Sequence, residues 1–312
     1  MLNSEAQYIF GPVASRRLGR SLGVDLIPYK TCSFDCLYCE IGRTTNKTVE
    51  RKEYVSSDQI LHGVKRFLSE TSAPPDYITL GGSGEPTLNS KIGEIIAEIK
   101  NLTPIPVAVL TNSSLFCLDD VKEGLLKADL ILPSLDAVSP FFFQYLNRPH
   151  PSLDAQKITQ GLKDFRKAFP GKIWLEILFC QGVNDSQEEI DRLKEAIEEI
   201  CPDRVQLNSL DRPPAEDFVF PVTIERLEAI KKNFGGKAEI IASPIFHGID
   251  DIVLSKKNRV VNLVRRRPCT LVDISRALGI HQNELIKLLD ILGKEGKVHH
   301  RTYNNQCYYG AS

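Results

Sequence analysis

The sequence predicts an α/β protein with a parallel sheet, either doubly wound or curled into an open or closed barrel, followed by a small winged helix-turn-helix domain. Three observations carry this expectation. Short apolar runs of strand length alternate with longer stretches whose apolar residues recur every three or four positions, the period of an amphipathic helix. Six such strand-then-helix units follow one another, which implies parallel strands joined by crossover helices. The polar and glycine-rich segments fall after the strands, where parallel α/β folds build their sites.

The expected strands are Val24–Tyr29, Tyr77–Leu80, Val107–Thr111, Leu130–Leu135, Ile173–Phe179 and Val205–Asn208. Helices are expected at Ser57–Glu70, capped by Ser56 or Ser57, and at Lys91–Lys100, Leu118–Leu126, Leu153–Phe169 and Ser186–Ile200. A helix near Ile224–Asn233 and a strand near Ala238–Ala242 complete a first domain over residues 1–250. A new pattern fills residues 255–312, starting near Ser255. Lys257–Arg267 reads as a helix stopped by Pro268, and Thr270 caps a second helix, Leu271–Leu278, ended by Gly279. A third helix, His281–Leu292, carries Leu285, Leu288, Leu289 and Leu292 on one face. Lys297–His300 and Gln306–Tyr309 flank a turn at Asn304-Asn305 and read as a hairpin.

A chain of 312 residues, 42% apolar, accommodates one large domain and a small one. No stretch approaches the roughly 20 apolar residues of a membrane helix, and the start lacks the apolar core of a signal peptide, so a cytoplasmic protein with no membrane partner is expected. Residues 255–312 carry 11 Lys/Arg against 4 Asp/Glu, a net +7, while the rest carries −8. Such asymmetry suits either an anionic partner or simply a small domain with a basic surface.

Three of the eight cysteines, Cys32, Cys36 and Cys39, crowd into one loop after the first strand. Thiolates favour iron–sulfur clusters and zinc. Structural zinc usually takes four ligands in two pairs, and no second pair with that spacing exists. Cys117, Cys180, Cys201, Cys269 and Cys307 are scattered and read as core residues.

The C-x3-C-x2-C spacing, with Tyr38 before the last cysteine, resembles the signature of the radical S-adenosylmethionine (SAM) superfamily. The resemblance implies a partial (βα)6 TIM-type barrel for residues 1–250, a [4Fe-4S] cluster on Cys32, Cys36 and Cys39 whose fourth iron binds SAM, and reductive cleavage of SAM to a 5′-deoxyadenosyl radical. It also implies a one-electron donor such as flavodoxin or ferredoxin. Gly81-Gly82-Ser83-Gly84-Glu85-Pro86 resembles the superfamily's loop for the amino end of SAM, which places Gly82, Ser83, Gly84 and Glu85 at the cofactor. Asn112 lies in a segment that resembles a TNG-type turn, with Ser113 in place of the glycine, and Ser134 and Asp136 resemble cofactor contacts after the fourth strand. Glu176, a carboxylate in an apolar strand, needs a partner and reads as facing the site, with Asn208 a candidate of the same kind. Arg16, Arg17 and Arg20 suit either a substrate anion or an acidic protein surface.

Five segments narrow the resemblance: the stretch from Phe10 to Gly42, ADLILPSLDA, NRPH at 147–150, GVND at 182–185 and RPPAE at 212–216. Together they resemble a bacterial iron–sulfur oxidoreductase group related to the wyosine tRNA synthases. Those synthases carry further cysteines upstream for a second cluster, whereas none precedes Cys32, so one cluster is expected. The leading expectation is a radical enzyme that modifies a macromolecule such as tRNA, with the winged helix presenting it through Arg265–Arg267 and Lys294–Arg301. The alternatives are an activase or peptide-modifying enzyme acting on a protein partner, and a DNA-binding regulator that only senses through its cluster.

Overall fold

The computed structural model describes residues 8–241, 256–278, 280 and 282–311. The chain opens with an antiparallel hairpin, β1 (Ile9–Ser15) and β2 (Gly19–Val24). Two short strands, β3 (Thr31–Cys32) and β4 (Asn46–Lys47), pair in parallel across the base of the cysteine loop. Then follow α1 (Ser57–Glu70), β5 (Tyr77–Leu80), α2 (Ile92–Leu102), β6 (Val107–Thr111), α3 (Asp119–Leu125) and β7 (Leu130–Pro133). A single helical turn, α4 (Pro140–Phe142), runs into a π-helical turn over Phe143–Asn147. The domain continues with α5 (Ala155–Ala168), β8 (Lys172–Phe179), α6 (Gln187–Ile200), β9 (Arg204–Ser209), α7 (Ile224–Phe234) and β10 (Ala238–Ile240).

The eight-stranded sheet has the order β1-β2-β5-β6-β7-β8-β9-β10, and every pairing after β1–β2 is parallel. It curls into a partial barrel, as expected. Alternation along the strands sorts its two faces. On β8, Ile173, Leu175, Ile177 and Phe179 pack outward against the helices, while Trp174 and Glu176 face the lumen. On β2, Leu22 and Val24 face the helices, which leaves Ser21, Gly23 and Asp25 inside. Each fully buried Leu or Val adds roughly 1.5–3 kcal/mol relative to exposure, so the helix-facing layer is the main source of stability. Asp154, Ser186 and Thr223 cap α5, α6 and α7 by accepting backbone N–H bonds, which starts each helix at a defined residue.

Two expectations change. The first parallel strand is Gly19–Val24, not Val24–Tyr29, and it pairs with an upstream strand that the apolar pattern did not mark. Its lumen face is polar and glycine-bearing, so it lacks a strand's usual apolar density. The strand near Ala238 runs only to Ile240 and joins the sheet as a seventh parallel strand.

The C-terminal module contains α8 (Lys256–Arg266), β11 (Cys269–Thr270), α9 (Leu271–Leu278), α10 (Gln282–Lys294), β12 (Val298–Tyr303) and β13 (Gln306–Ala311). Its strands form an antiparallel sheet in the order β11-β13-β12. Thr270 Oγ1 accepts the Asp273 N–H at 3.1 Å, as its cap role required. Leu285, Leu289 and Leu292 enter a core with Val260, Leu263, Ile274 and Val298, and Leu288 packs against it. The boundary near Ser255, Gly279, His281 and Ala242 lie outside the described residues. Among the described residues no helix is long and apolar enough to cross a membrane.

Candidate cluster and cofactor site

The cysteine loop sits at the strand C-termini and is braced from several sides. Thr48 N–H donates to Cys32 O, and Cys39 N–H to Cys36 O. The π turn supplies Leu146 O to Leu37 N–H at 2.9 Å and Asn147 O to Asp35 N–H at 3.1 Å. Ser33 O accepts His150 N–H at 2.8 Å, and Leu37 O accepts Glu216 N–H at 3.1 Å. Arg148, in the left-handed region at φ 43, pairs with Glu216, which Arg43 also reaches. The NRPH and RPPAE segments therefore meet across the loop and hold it.

The three thiols are free, half-buried and near enough to perturb one another's ionisation. Burial pushes Cys32 up to about 12 and Cys39 up to about 11, and Cys36 well above a free thiol. Bare, they hold their protons, which a metal must displace. Among the described residues no three His, Cys, Asp or Glu side chains close around a point for one lone ion. Three soft thiolates supplied by one loop suit an iron–sulfur cluster by their donor chemistry. Amide donors face two of them: Asn112 Nδ2 lies 3.4 Å from Cys32 Sγ, and Asn147 Nδ2 lies 3.5 Å from Cys36 Sγ. Such N–H···S contacts suit thiolates that carry cluster charge.

Tyr38 and Asp136 belong to the same assembly. Tyr38 hydroxyl and Asn147 Nδ2 donate to Asp136 Oδ2, and Leu178 N–H donates to Oδ1 at 2.9 Å. Burial raises the Asp136 carboxyl to about 6 against these donors. Asn184 of the GVND segment, fully buried, donates to Asp136 O and Leu178 O and accepts Cys180 N–H, each at 2.8 Å. Asn112, Ser134, Asp136 and Asn147 share a cavity of about 10 Å³, room for roughly one water, behind the loop.

The glycine loop after β5 lies against the cysteine loop. Lys30 N–H donates to Ser83 O at 2.7 Å. A Cβ on Gly84 would overlap Thr31 O, so only glycine permits this approach, and a Cβ on Gly82 would lie 2.6 Å from Asp25 Oδ1. Ser83 N–H and hydroxyl both donate to Asp25, each at 2.9 Å. Glu85 accepts from Thr87 N–H, Thr87 hydroxyl, Thr111 hydroxyl and Asn112 N–H. Burial still raises its carboxyl, and four internal donors make it a brace between two loops. Ser113, standing in the glycine position, adopts φ 68 and is tied by its hydroxyl to Ser134 O at 2.7 Å.

Glu176 faces the lumen and accepts from Arg17 Nη2 and from Asn208 Nδ2. Arg16 pairs with Asp211, while the Arg20 backbone N–H donates to Asp76 and its guanidinium turns away to Ala73 O. Desolvation opposes the charge of Glu40, next to Cys39 and partly buried, yet Arg212, Arg267, Arg16 and Arg17 together hold its carboxyl below the usual range. Of the scattered cysteines, Cys180 and Cys269 are buried as expected, whereas Cys117, Cys201 and Cys307 are exposed. Asn147, Asn184 and Asp25 lay in quoted segments but were not singled out, and Arg266, expected to present a macromolecule, instead turns inward to Asp25 and Ser83.

A family model described as the Radical SAM superfamily matches residues 26–194. The chain is 36% identical over 307 residues, 97% of its length, to a protein named GTPase Obg from Brachyspira hyodysenteriae, of which it spans 45%. It is 32% identical over 304 residues, 96% of its length, to a UPF0026 protein from Methanocaldococcus jannaschii, of which it spans 94%. A radical SAM methyltransferase from Sphaerobacter thermophilus shares the fold at TM-score 0.53 and 17% identity, over 70% of this chain and 65% of that one. The match over the cysteine and glycine loops, with near full-length relatives, places this chain in the radical SAM superfamily of enzymes.

Proposed function

We propose that the chain holds one [4Fe-4S] cluster on Cys32, Cys36 and Cys39 and uses it, with SAM, to modify a macromolecule such as tRNA. The observation that carries the reading is the braced triad of free thiols against the Gly81–Pro86 loop at the strand C-termini. A cluster held by these thiols would supply reductive cleavage of the SAM carbon–sulfur bond, with its electron coming from a donor such as flavodoxin or ferredoxin. The chain's own residues hold and shield. Asn112 and Asn147 donate to the thiolates, Tyr38 and Asp136 fix the back of the loop, and Ser83, Gly82 and Gly84 set the glycine loop's distance from it. Glu176, Asn208 and Arg17 line the lumen where a substrate group would enter.

We read the C-terminal module as a winged helix, with α10 and the β12–β13 hairpin as its presenting face. His299, His300 and Arg301 on β12 are exposed, which supports an anionic macromolecule as the partner. The likeness of the quoted segments to the wyosine-related group supports tRNA in particular. Anaerobic reconstitution should give about four irons per chain and, with SAM and a reductant, 5′-deoxyadenosine. RNA should co-purify anaerobically. Failure of both cluster assembly and SAM cleavage with the cysteines intact overturns the enzyme reading. Co-purification of a protein without RNA replaces the substrate by a protein partner.

A further inference from the structure

Among the described residues, five phenylalanine and tyrosine side chains are exposed: Tyr29, Phe141, Tyr145, Phe218 and Phe220, at 45% to 71%. Large aromatic side chains are mostly buried, and a group of exposed ones marks a contact surface. All five lie on the cysteine loop or on the segments that brace it. Tyr29 opens the loop, and its hydroxyl donates to Ile41 O at 3.3 Å. Phe141 and Tyr145 sit on the helical turns whose Leu146 O accepts Leu37 N–H at 2.9 Å. Phe218 and Phe220 follow Glu216, whose N–H donates to Leu37 O at 3.1 Å. One residue of the cysteine loop therefore joins the two aromatic pairs. Arg148 and Glu216 pair across the same seam, and Leu146 and Val219 pack with Leu37 in one buried cluster beneath it.

The basic hairpin of the C-terminal module reaches this surface. Arg301 on β12 donates to Pro214 O at 3.4 Å and lies 3.8 Å from Asp217 Oδ1, one residue before Phe218. Over residues 28–47, 140–150, 214–220 and 299–301, the exposed cations are Arg43, Lys47 and Arg301, against Asp217 as the one exposed acid. The Phe141 and Tyr145 rings lie parallel, with 3° between their planes and 6.4 Å between centroids. Flat apolar faces thus continue into exposed positive charge on both sides of the cysteine loop.

We propose that this surface grips unpaired RNA nucleotides beside the cluster site, with bases on the Phe141–Tyr145 and Phe218–Phe220 rings and phosphates on Arg43 and Arg301. Sites for single strands combine these two parts, aromatic faces that stack any base and cations that follow the backbone. A duplex keeps its bases stacked inside and offers the rings nothing, whereas loops and ends can splay theirs out. Chemistry on a base also needs that base out of its stack. The surplus of exposed cations favours a polyanion over a protein as the occupant. The inference rests on the reading that the substrate is RNA, and names the part of it that is held.

The test uses the full-length, anaerobically reconstituted protein. Fluorescence anisotropy measures the affinity for a labelled single-stranded RNA of about 12 nucleotides and for the duplex of the same length. Wild type is compared with the double variants Phe141→Ser/Tyr145→Ser and Phe218→Ser/Phe220→Ser, and with Phe218→Tyr/Phe220→Tyr. Iron content and thermal midpoint are measured alongside. Each serine pair should weaken single-strand binding by about fivefold or more, while duplex binding, iron content and the salt slope stay unchanged, because no charge is lost. The tyrosine pair, which keeps its rings, should bind as wild type does. Unchanged single-strand affinity in both serine pairs overturns the proposal, and so does an equal loss for single strand and duplex. Serine pairs that keep RNA but lose a protein that co-purifies with wild type overturn it too, and make the surface a protein interface. Wild type that binds neither RNA overturns the RNA reading, and the proposal with it.

Discussion

Asp136 is where the residue-scale geometry is concentrated. Its carboxyl takes Tyr38, Asn147 and the Leu178 N–H, and its carbonyl takes Asn184. Burial raises its pKa from 3.8 to about 6, so the folded state holds this proton more tightly than the unfolded state. Its contribution to stability is full below 3.8 and is lost as pH rises to about 6. Asp136→Asn does not titrate. The stability of wild type minus that of the variant should fall by on the order of 3 kcal/mol across that window and stay level above it. Denaturant midpoints of the metal-free proteins at several pH values check this, and parallel curves would refute it. At the same scale, serine at Cys32, Cys36 or Cys39 should abolish iron loading, whereas serine at the exposed Cys117, Cys201 or Cys307 should leave it intact. A chelation assay after reconstitution reads both sets.

At the scale of elements, helices were legible because each has one apolar face. Ile60, Val64 and Phe67 on α1 show that period, and the boundaries Ser57–Glu70 came out as expected. The β1–β2 hairpin was not legible, because Ser21, Gly23 and Asp25 trade apolar character for a polar lumen. The cysteine and glycine loops could be read because their spacing is local. The roles of NRPH, GVND and RPPAE could not, because they arise only when Asn147, Asn184 and Glu216 converge on the cysteine loop and Asp136 from distant parts of the chain. Asn184 is the sharpest case. Asn184→Ala leaves the Cys180 N–H and two carbonyls without their partner, at about 1–3 kcal/mol for the unmade bonds. A fall of about 2–4 °C in thermal midpoint per kcal/mol is expected, together with weaker iron retention. Melting curves and iron counts check it, and an unchanged midpoint would show that Asp136 is held by other means.

For the whole molecule, the fold divides labour between a barrel that supplies thiols and a basic module docked on β1 and on the loop after β9. The net +7 of residues 255–312 is partly turned inward, since Arg266 and Arg267 act on Asp25 and Glu40 rather than on solvent. What remains outward includes Lys294, Lys297 and Arg301. If these meet RNA phosphates, Arg301→Ala should lower the salt slope of RNA affinity by about 1 without changing sequence preference. Filter binding across salt concentrations reads the slope. Everything else depends on one cubane with an iron left open for SAM. Electron paramagnetic resonance of the reduced, reconstituted protein, recorded with and without SAM, tests that most directly. A single-cluster spectrum whose g values shift when SAM is added is expected, and identical spectra from protein carrying about four irons per chain would contradict it.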